Sequence, residues 1–180
     1  GKHSETDIVD NKTWGEFLTL CENYRSQRPF DSIVIAIPFA ELLSSGLSSD
    51  ALLAQRARAL QRRIWEVQSR FALTFPVYVL ITECESIPGF SQFAATLSPS
   101  LHHSMLGWSN AQELSAPFHI DSVDVGLDEV LADLQEASVE LSALEAGSNL
   151  GSGYFMLPRH MEEVRQGLRL FFKELFKPSS

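Results

Sequence analysis

Apolar residues first recur at three- and four-residue spacing at Trp14, Phe17, Leu18, Cys21 and Tyr24. That spacing lines one face of a helix. Thr13 is placed to cap it, and Arg28-Pro29 ends it, because the residue before a proline avoids the α region. The polar opening, residues 1–12, predicts an irregular segment. Ser32-Ile33-Val34-Ile35-Ala36-Ile37 does not alternate and predicts a strand buried on both faces, as parallel strands are. Residues 38–43 add a helical turn that breaks at Ser44-Ser45-Gly46. Ser48, Ser49 or Asp50 then caps a long helix reaching residue 73. Its inward positions are Leu53, Leu60, Ile64, Val67 and Phe71, and Arg56, Arg58, Arg62, Arg63 and Arg70 form a basic stripe on the rest.

Pro76 introduces a second strand, Val77–Thr82. A loop through Ile87-Pro88-Gly89 leads to a short helix carrying Phe90, Phe93 and Leu97, and residues 99–106 form another. Residues 107–124 have little periodicity and predict a long surface loop, a class often functional or mobile. A helix follows over residues 125–145, with Leu127, Leu131, Leu134, Val139, Leu141 and Leu144 as its apolar positions. Residues 147–153 are a glycine-serine break. Tyr154-Phe155-Met156-Leu157 is a third short apolar run, read as a strand. Pro158 suits the first turn of a closing helix, whose wide apolar face is Met161, Val164, Leu168, Phe171, Phe172, Leu175 and Phe176, and Pro178 stops it. No internal repeat is present. Strands alternating with helices predict an α/β fold, its strands paired in parallel through right-handed crossovers, in a single domain over residues 1–180. Three strands make a small sheet for so many helices, which implies a further portion, upstream.

Composition narrows the class. Of 180 residues, 44% are hydrophobic and 21% charged, the balance of a globular domain with a real core. The net charge of −9 argues against a general nucleic-acid or anionic-membrane surface. Cys21 and Cys84 cannot build a disulfide framework and read as buried reduced thiols, which fits a reducing compartment. No run approaches the roughly 18 apolar residues that span a bilayer, and no signal peptide opens the chain. The first residue is Gly1 rather than Met, as in a tag-cleaved chain or a piece of a longer protein.

The candidate chemistry lies where the second strand ends. Open α/β sheets bind ligands at the carboxyl ends of their strands, and here stand Thr82, Glu83, Cys84 and Glu85. A guanine-reading loop carries Asn/Thr-Lys-x-Asp at this point. Its aspartate takes paired, charge-assisted hydrogen bonds from the base, and its lysine stem lies along the ring. Glu85 is one methylene longer than that aspartate, and Glu83 reverses the lysine charge beside what would be a polyanion. The bland alternative is a solvated acidic loop. The phosphate cradle G-x-x-x-x-G-K-[ST] is absent. Gly1-Lys2-His3-Ser4 lacks its spacing, and residues 147–153 lack its lysine. His3, His102, His103, His119 and His160 show no metal-ligand spacing. No G-x-S-x-G elbow occurs, and Cys84 has no evident histidine partner. Asp121, Asp124, Asp128 and Glu129 sit near a helix start, where the helix dipole favours them. Phe171, Phe172 and Phe176 fall on one stripe, which suits core packing better than a partner face. The arginine-rich helix is either a solvated face or a surface for an acidic partner.

These segments occur in an order that resembles one family. TWGEFLTLCENYRSQRPFDSIVIAIPFAELL, residues 13–43, is similar to W-x-x-F-L-x-L-L-x-x-Y-R-x-x-R-P-[IL]-[DN]-G-[VI]-[VI]-[LV] of the IcmF/TssM family. FPVYVLITECESIPGF, residues 75–90, resembles its F-P-V-Y-V-L-[VI]-T-K-x-D-x-[LI]-x-G-F. LGWSN, residues 106–110, and YFMLPRHMEEVRQGLRLFFKELFKPS, residues 154–179, resemble family segments in the same places. Gly1-Lys2-His3-Ser4 is similar to the G-[RK]-[YH]-x-[ST] that follows the family's D-T-A segment.

The resemblance implies a large inner-membrane protein of a bacterial type VI secretion system, with a cytoplasmic P-loop NTPase-like domain and a periplasmic region that contacts an outer-membrane lipoprotein. This chain would be the second half of the cytoplasmic domain plus an extension. That is a partial P-loop NTPase-like parallel sheet flanked by helices, with additional C-terminal helices, lying at the cytoplasmic face of the inner membrane. The expected role is structural. The chain would be a non-catalytic scaffold docking other type VI secretion membrane-complex and baseplate proteins, with no nucleic acid, no membrane segment and no cofactor of its own. The alternative is half of an NTPase whose phosphate loop lies upstream and whose hydrolysis drives conformational change. GTP or ATP with Mg²⁺ would then belong only to the longer parent. The sequence departs from the family pattern at the base-reading motif, where Thr-Lys-x-Asp has become Thr82-Glu83-Cys84-Glu85.

Overall fold

The computed structural model describes residues 2–43, 46–97, 105–144 and 152–178. In chain order the elements are α1 (Lys2–Tyr24), β1 (Ile33–Pro38), α2 (Phe39–Leu42), α3 (Leu47–Phe71), β2 (Val77–Thr82), a 3₁₀ turn (Cys84–Ser86), α4 (Phe90–Thr96), α5 (Asp121–Leu144), a second 3₁₀ turn (Ser152–Met156), α6 (Leu157–Glu162) and α7 (Arg165–Leu175). β1 and β2 pair in parallel, with Ile33 opposite Val77 and Pro38 opposite Thr82. Among the described residues the sheet has these two strands alone.

The first helix corrects the expectation of an irregular opening. It runs from Lys2, because neither glycine nor proline interrupts residues 2–14. It ends at Tyr24, ahead of Arg28-Pro29, and the following turn is clamped where Arg25 and Arg28 both reach Asp31, at 2.8 and 3.3 Å. α3 starts at Leu47, beyond a left-handed Gly46 (φ 132°). Ser49 does not cap it from ahead; its hydroxyl donates back to the Gly46 carbonyl, 2.7 Å away. α5 starts at Asp121, earlier than its first aliphatic periodicity suggests, with Asp121 and Asp124 in the first turn.

The expected third strand is not one. Residues 152–156 form a 3₁₀ turn that runs into α6. A 3₁₀ turn repeats every three residues, so Tyr154 and Leu157 share a side and are both buried, while Phe155 and Met156 are exposed. Pro158 lies in the first turn of α6. The closing helix is broken at Glu163-Val164 into α6 and α7, yet its apolar face holds: Met161, Val164, Leu168, Phe171 and Leu175 are buried. Residues 98–104 and 145–151, expected to hold a helix and a glycine-serine break, lie outside the described residues.

One buried cluster unites Leu18 of α1, Ile35 and Ile37 of β1, Leu42 of α2, Val67 of α3, Leu127 and Leu134 of α5, and Phe171 of α7. Four of the five arginines in the basic stripe of α3 make lateral contacts. Arg56 pairs with Glu41 and donates to the Ala36 carbonyl, Arg58 pairs with Glu174, and Arg70 bonds Glu22 and Thr19. Arg63 lies over the Trp14 ring, 5.3 Å from its centroid, and bonds Asn11. An acidic partner for this helix is therefore already present in cis.

The long loop ahead of α5 is held by aromatics. Phe118 stands 5.8 Å from Phe172 and 4.7 Å from Phe176, and Trp108 lies 6.4 Å from Phe172. Trp108 also covers Gly126 of α5 so closely that a Cβ there would overlap its indole ring. Gly126→Ala should therefore displace Trp108. The expected result is a stability loss of about 1 kcal/mol with a red-shifted Trp108 emission, read in a Trp14→Phe, Trp65→Phe background.

A candidate site at the carboxyl end of the sheet

Parallel pairing brings the ends of both strands to one side, where Pro38 lies opposite Thr82. β1 turns directly into α2. β2 cannot do the same, because Glu83 adopts the left-handed region (φ 58°) and redirects the chain into the 3₁₀ turn. That conformation is uncommon for a residue with a Cβ. It is held by the Glu83 carbonyl, which accepts from the Ser86 amide at 3.0 Å and the Ser86 hydroxyl at 2.6 Å. Ile87 then plunges into the core, and its amide bonds the Cys84 carbonyl at 3.0 Å. Gly89 is left-handed (φ 86°), and a Cβ there would lie 2.8 Å from the Gly153 carbonyl carbon. The turn ahead of α4 thus abuts the backbone just before α6.

The structure brings Thr82, Glu83, Cys84 and Glu85 together as one tight turn but sorts their side chains. Thr82 and Cys84 are half-buried, and Glu83 and Glu85 are exposed. Burial pushes the Cys84 thiol up, and the neighbouring Glu85 charge adds to the shift. The Cys84 Sγ lies 3.6 Å from the Ile81 carbonyl. A raised thiol pKa favours the protonated form, which donates to that carbonyl within the turn. Among the described residues no ion pair engages Glu83 or Glu85. The turn therefore presents uncompensated negative charge to any ligand arriving at the carboxyl end. Two shallow concavities lie elsewhere, along α1, one lined by Lys12, Glu16 and Leu20 and the other by Trp14, Phe17 and Arg63. Among the described residues no three of His, Cys, Asp and Glu gather as a metal ligand set.

Sequence reasoning missed two supports. Arg165 forms the centre of a charged cluster. Its guanidinium takes both Glu162 oxygens at 2.6 and 2.7 Å, Asp128 at 2.6 Å and Asp124 at 3.4 Å, while Arg169 also pairs with Asp124. The Glu162 bonds first, and then Asp128, raise the Arg165 pKa further, against the opposing effect of burial. Asp124 and Asp128 are thus ion-pair partners joining α5 to α6 and α7, beyond any effect on the helix dipole. Gly167 is the second support. A Cβ at Gly167 would lie 2.7 Å from the Leu42 carbonyl carbon, so α7 crosses directly over the end of α2 and braces the exit of β1. A glycine inside an otherwise helical run, RQGLRL, was the available signal.

The sequence model of the IcmF-related N-terminal domain matches residues 8–180. A curated relative, the type VI secretion system component TssM1 of Pseudomonas aeruginosa, is 30% identical over 176 residues, which is 95% of this chain. The chain spans 15% of that relative's length. No solved structure matches. No described helix is long and apolar enough to cross a membrane.

Proposed function

The chain belongs to the IcmF/TssM family through its IcmF-related N-terminal domain, and on that premise we propose that it is a structural module of a type VI secretion membrane complex. In this reading it lies at the cytoplasmic face of the inner membrane, docks other membrane-complex and baseplate proteins, and catalyses nothing. Its sheet corresponds to part of a P-loop NTPase-like sheet. The observation that carries the proposal is the turn at the end of β2. It follows the carboxyl end of a parallel strand, where the family resemblance leads one to expect a base-reading loop, but its exposed side chains are Glu83 and Glu85, with no cation paired to either among the described residues. A nucleotide triphosphate would meet like charge where it needs a lysine and a shorter carboxylate.

A second reading keeps this turn as the relaxed base-reading loop of an NTPase whose phosphate-binding part lies elsewhere in a longer protein. The parallel strands and the position of the turn beside Pro38 favour it. Calorimetric titration of Mg-GTP and Mg-ATP into the longer protein, beside its Glu83→Lys, Glu85→Asp variant, separates the two. The structural reading expects no binding heat from either nucleotide in either protein. Binding by the parent, shifted towards GTP in the variant, would replace it with the NTPase reading.

A further inference from the structure

Charge is not spread evenly over this surface. Between Asp50 and Glu66, α3 carries no carboxylate. Its outward side holds Arg58, Arg62 and Trp65 at four- and three-residue spacing, all exposed. Arg58 is paired with Glu174 of α7 at 3.0 Å, whereas Arg62 meets no carboxylate among the described residues. Trp65 is 54% exposed, and no described residue accepts its indole N–H. Gln61 donates to the Lys177 carbonyl at 3.2 Å, which brings the end of α7 alongside. Lys173 and Lys177 are exposed there, and neither has an acidic partner among the described residues. α5 is the reverse. From Asp121 to Leu144 it has no lysine, arginine or histidine. Asp124 and Asp128 are held by Arg165 and Arg169. Glu129, Asp133, Glu136 and Glu140 are exposed on one helical stripe, with no cation paired to them among the described residues. Val125, Ala132 and Val139 recur every seven residues along its edge, where Val125 is 59% exposed and Val139 65%. A carboxylate stripe beside an apolar column complements cations grouped around an indole ring.

We propose that these two surfaces meet between copies, the α3–α7 face of one chain docking on the α5 face of a second. Trp65 covers the column of Val125, Ala132 and Val139, while Arg62, Lys173 and Lys177 face Glu129, Asp133, Glu136 and Glu140. Tryptophan and arginine are the side chains that most often carry interface energy. The net charge of −9 opposes association at long range. Salt screens that repulsion beyond about 8 Å, so the opposed local charges decide the contact. An anionic membrane fits this face less well. It calls for about four to eight clustered cations with an apolar helix face, and one ring beside Arg62, Lys173 and Lys177 falls short of that. α7 packs against both α3 and α5 and stands between the two faces, so one chain does not join its own. Each copy then engages two neighbours through a heterologous contact, which closes as a ring or continues as a filament. This inference rests on the two helix faces and is independent of the docking role proposed above.

The test uses the protein at its natural length, mixed as isotopically light and heavy copies. A carbodiimide then joins each amine to a carboxylate in contact with it, with loss of water, and linked peptides are mapped by mass. The expected product is an amide between Lys173 or Lys177 and a carboxylate of the α5 stripe, formed from one light and one heavy peptide. Arg62→Glu should lower its yield at least about tenfold, and Glu136→Arg likewise. Both changes in one chain should restore it to within about threefold. Arg62 and Glu136 are exposed and unpaired among the described residues, so neither change should move the urea midpoint. Links found only within single copies, links to a different protein, or a yield indifferent to Arg62→Glu would each overturn the proposal.

Discussion

Gly167→Ala should lower the unfolding free energy by about 1–3 kcal/mol, although alanine is the better helix former by about 1 kcal/mol. The reason is the company Gly167 keeps. Its missing Cβ would sit 2.7 Å from the carbonyl carbon of Leu42 and 3.0 Å from its Cα. Those are backbone atoms, so no rotamer change relieves the overlap. Leu42 is itself fully buried and Phe39, one turn earlier in α2, nearly so. α7 would have to lift away from α2, taking Leu168 and Phe171 out of register with α3. Gly15→Ala in α1 is the paired control, because no atom beyond its chain neighbours and its own helix backbone lies within 4 Å of the added methyl. That change should stabilise by roughly 0.5–1 kcal/mol through helix propensity alone. Urea unfolding of both variants gives two glycine-to-alanine changes of opposite sign. If Gly167→Ala proved as stable as the parent chain, the close crossing of α7 over α2 would be wrong.

Local pattern made much of this fold legible. The three- and four-residue spacing of α3 and α7 named the helices and most of their buried faces, and the β-branched runs named β1, β2 and their parallel pairing. What pattern alone could not do was separate segments with similar apolar content. Tyr154-Phe155-Met156-Leu157 has the hydrophobicity of a strand, but only its first and last residues are buried, three apart, which is a 3₁₀ signature. Val139 looks like a core position of α5 and is exposed, whereas Ser138 beside it is buried, with its hydroxyl donated to the Leu134 carbonyl at 2.7 Å. A serine that satisfies its own helix can occupy a core position, and composition gives no warning of it.

The candidate turn was legible as a location, because strand ends are marked by where the apolar run stops. Its backbone was not. The left-handed Glu83 has no glycine to announce it, and the partners that hold it in place, Ser86 and Ile87, matter only once the turn has formed. The arginine pattern of α3 had two readings on sequence. The decisive partners, Glu41, Glu174 and Glu22, come from three separate helices, and no periodicity within α3 reports them. The bare sheet face is a different case. There the continuous apolar runs predicted burial on both faces, and the structure leaves Val34, Tyr78 and Leu80 exposed, because among the described residues no element packs over them.

Phe171→Ala should be more damaging still, at about 3–5 kcal/mol, the range for deleting a fully buried phenylalanine and leaving its cavity. Phe171 has no exposed surface and sits midway along α7, edge-on to Phe172 at 6.2 Å. It belongs to the cluster that includes Val67 of α3 and Ile37 of β1. Phe171→Leu keeps most of that volume and should cost less than about 1.5 kcal/mol. Phe172→Ala is the informative contrast. Phe172 is only half-buried, and its ring supports Trp108 and Phe118 rather than the centre of the core. Its loss should cost less than that of Phe171 and free the loop before α5, visible as earlier proteolysis between residues 105 and 120. Urea midpoints at unchanged slope would assign each effect to native-state packing. Equal costs for Phe171→Ala and Phe172→Ala would mean that the aromatic cluster over the loop, not the α3–α7 contact, is the centre of the fold. The brace from Gly167 to Leu42, and with it the geometry of the sheet's carboxyl end, would then depend on that loop.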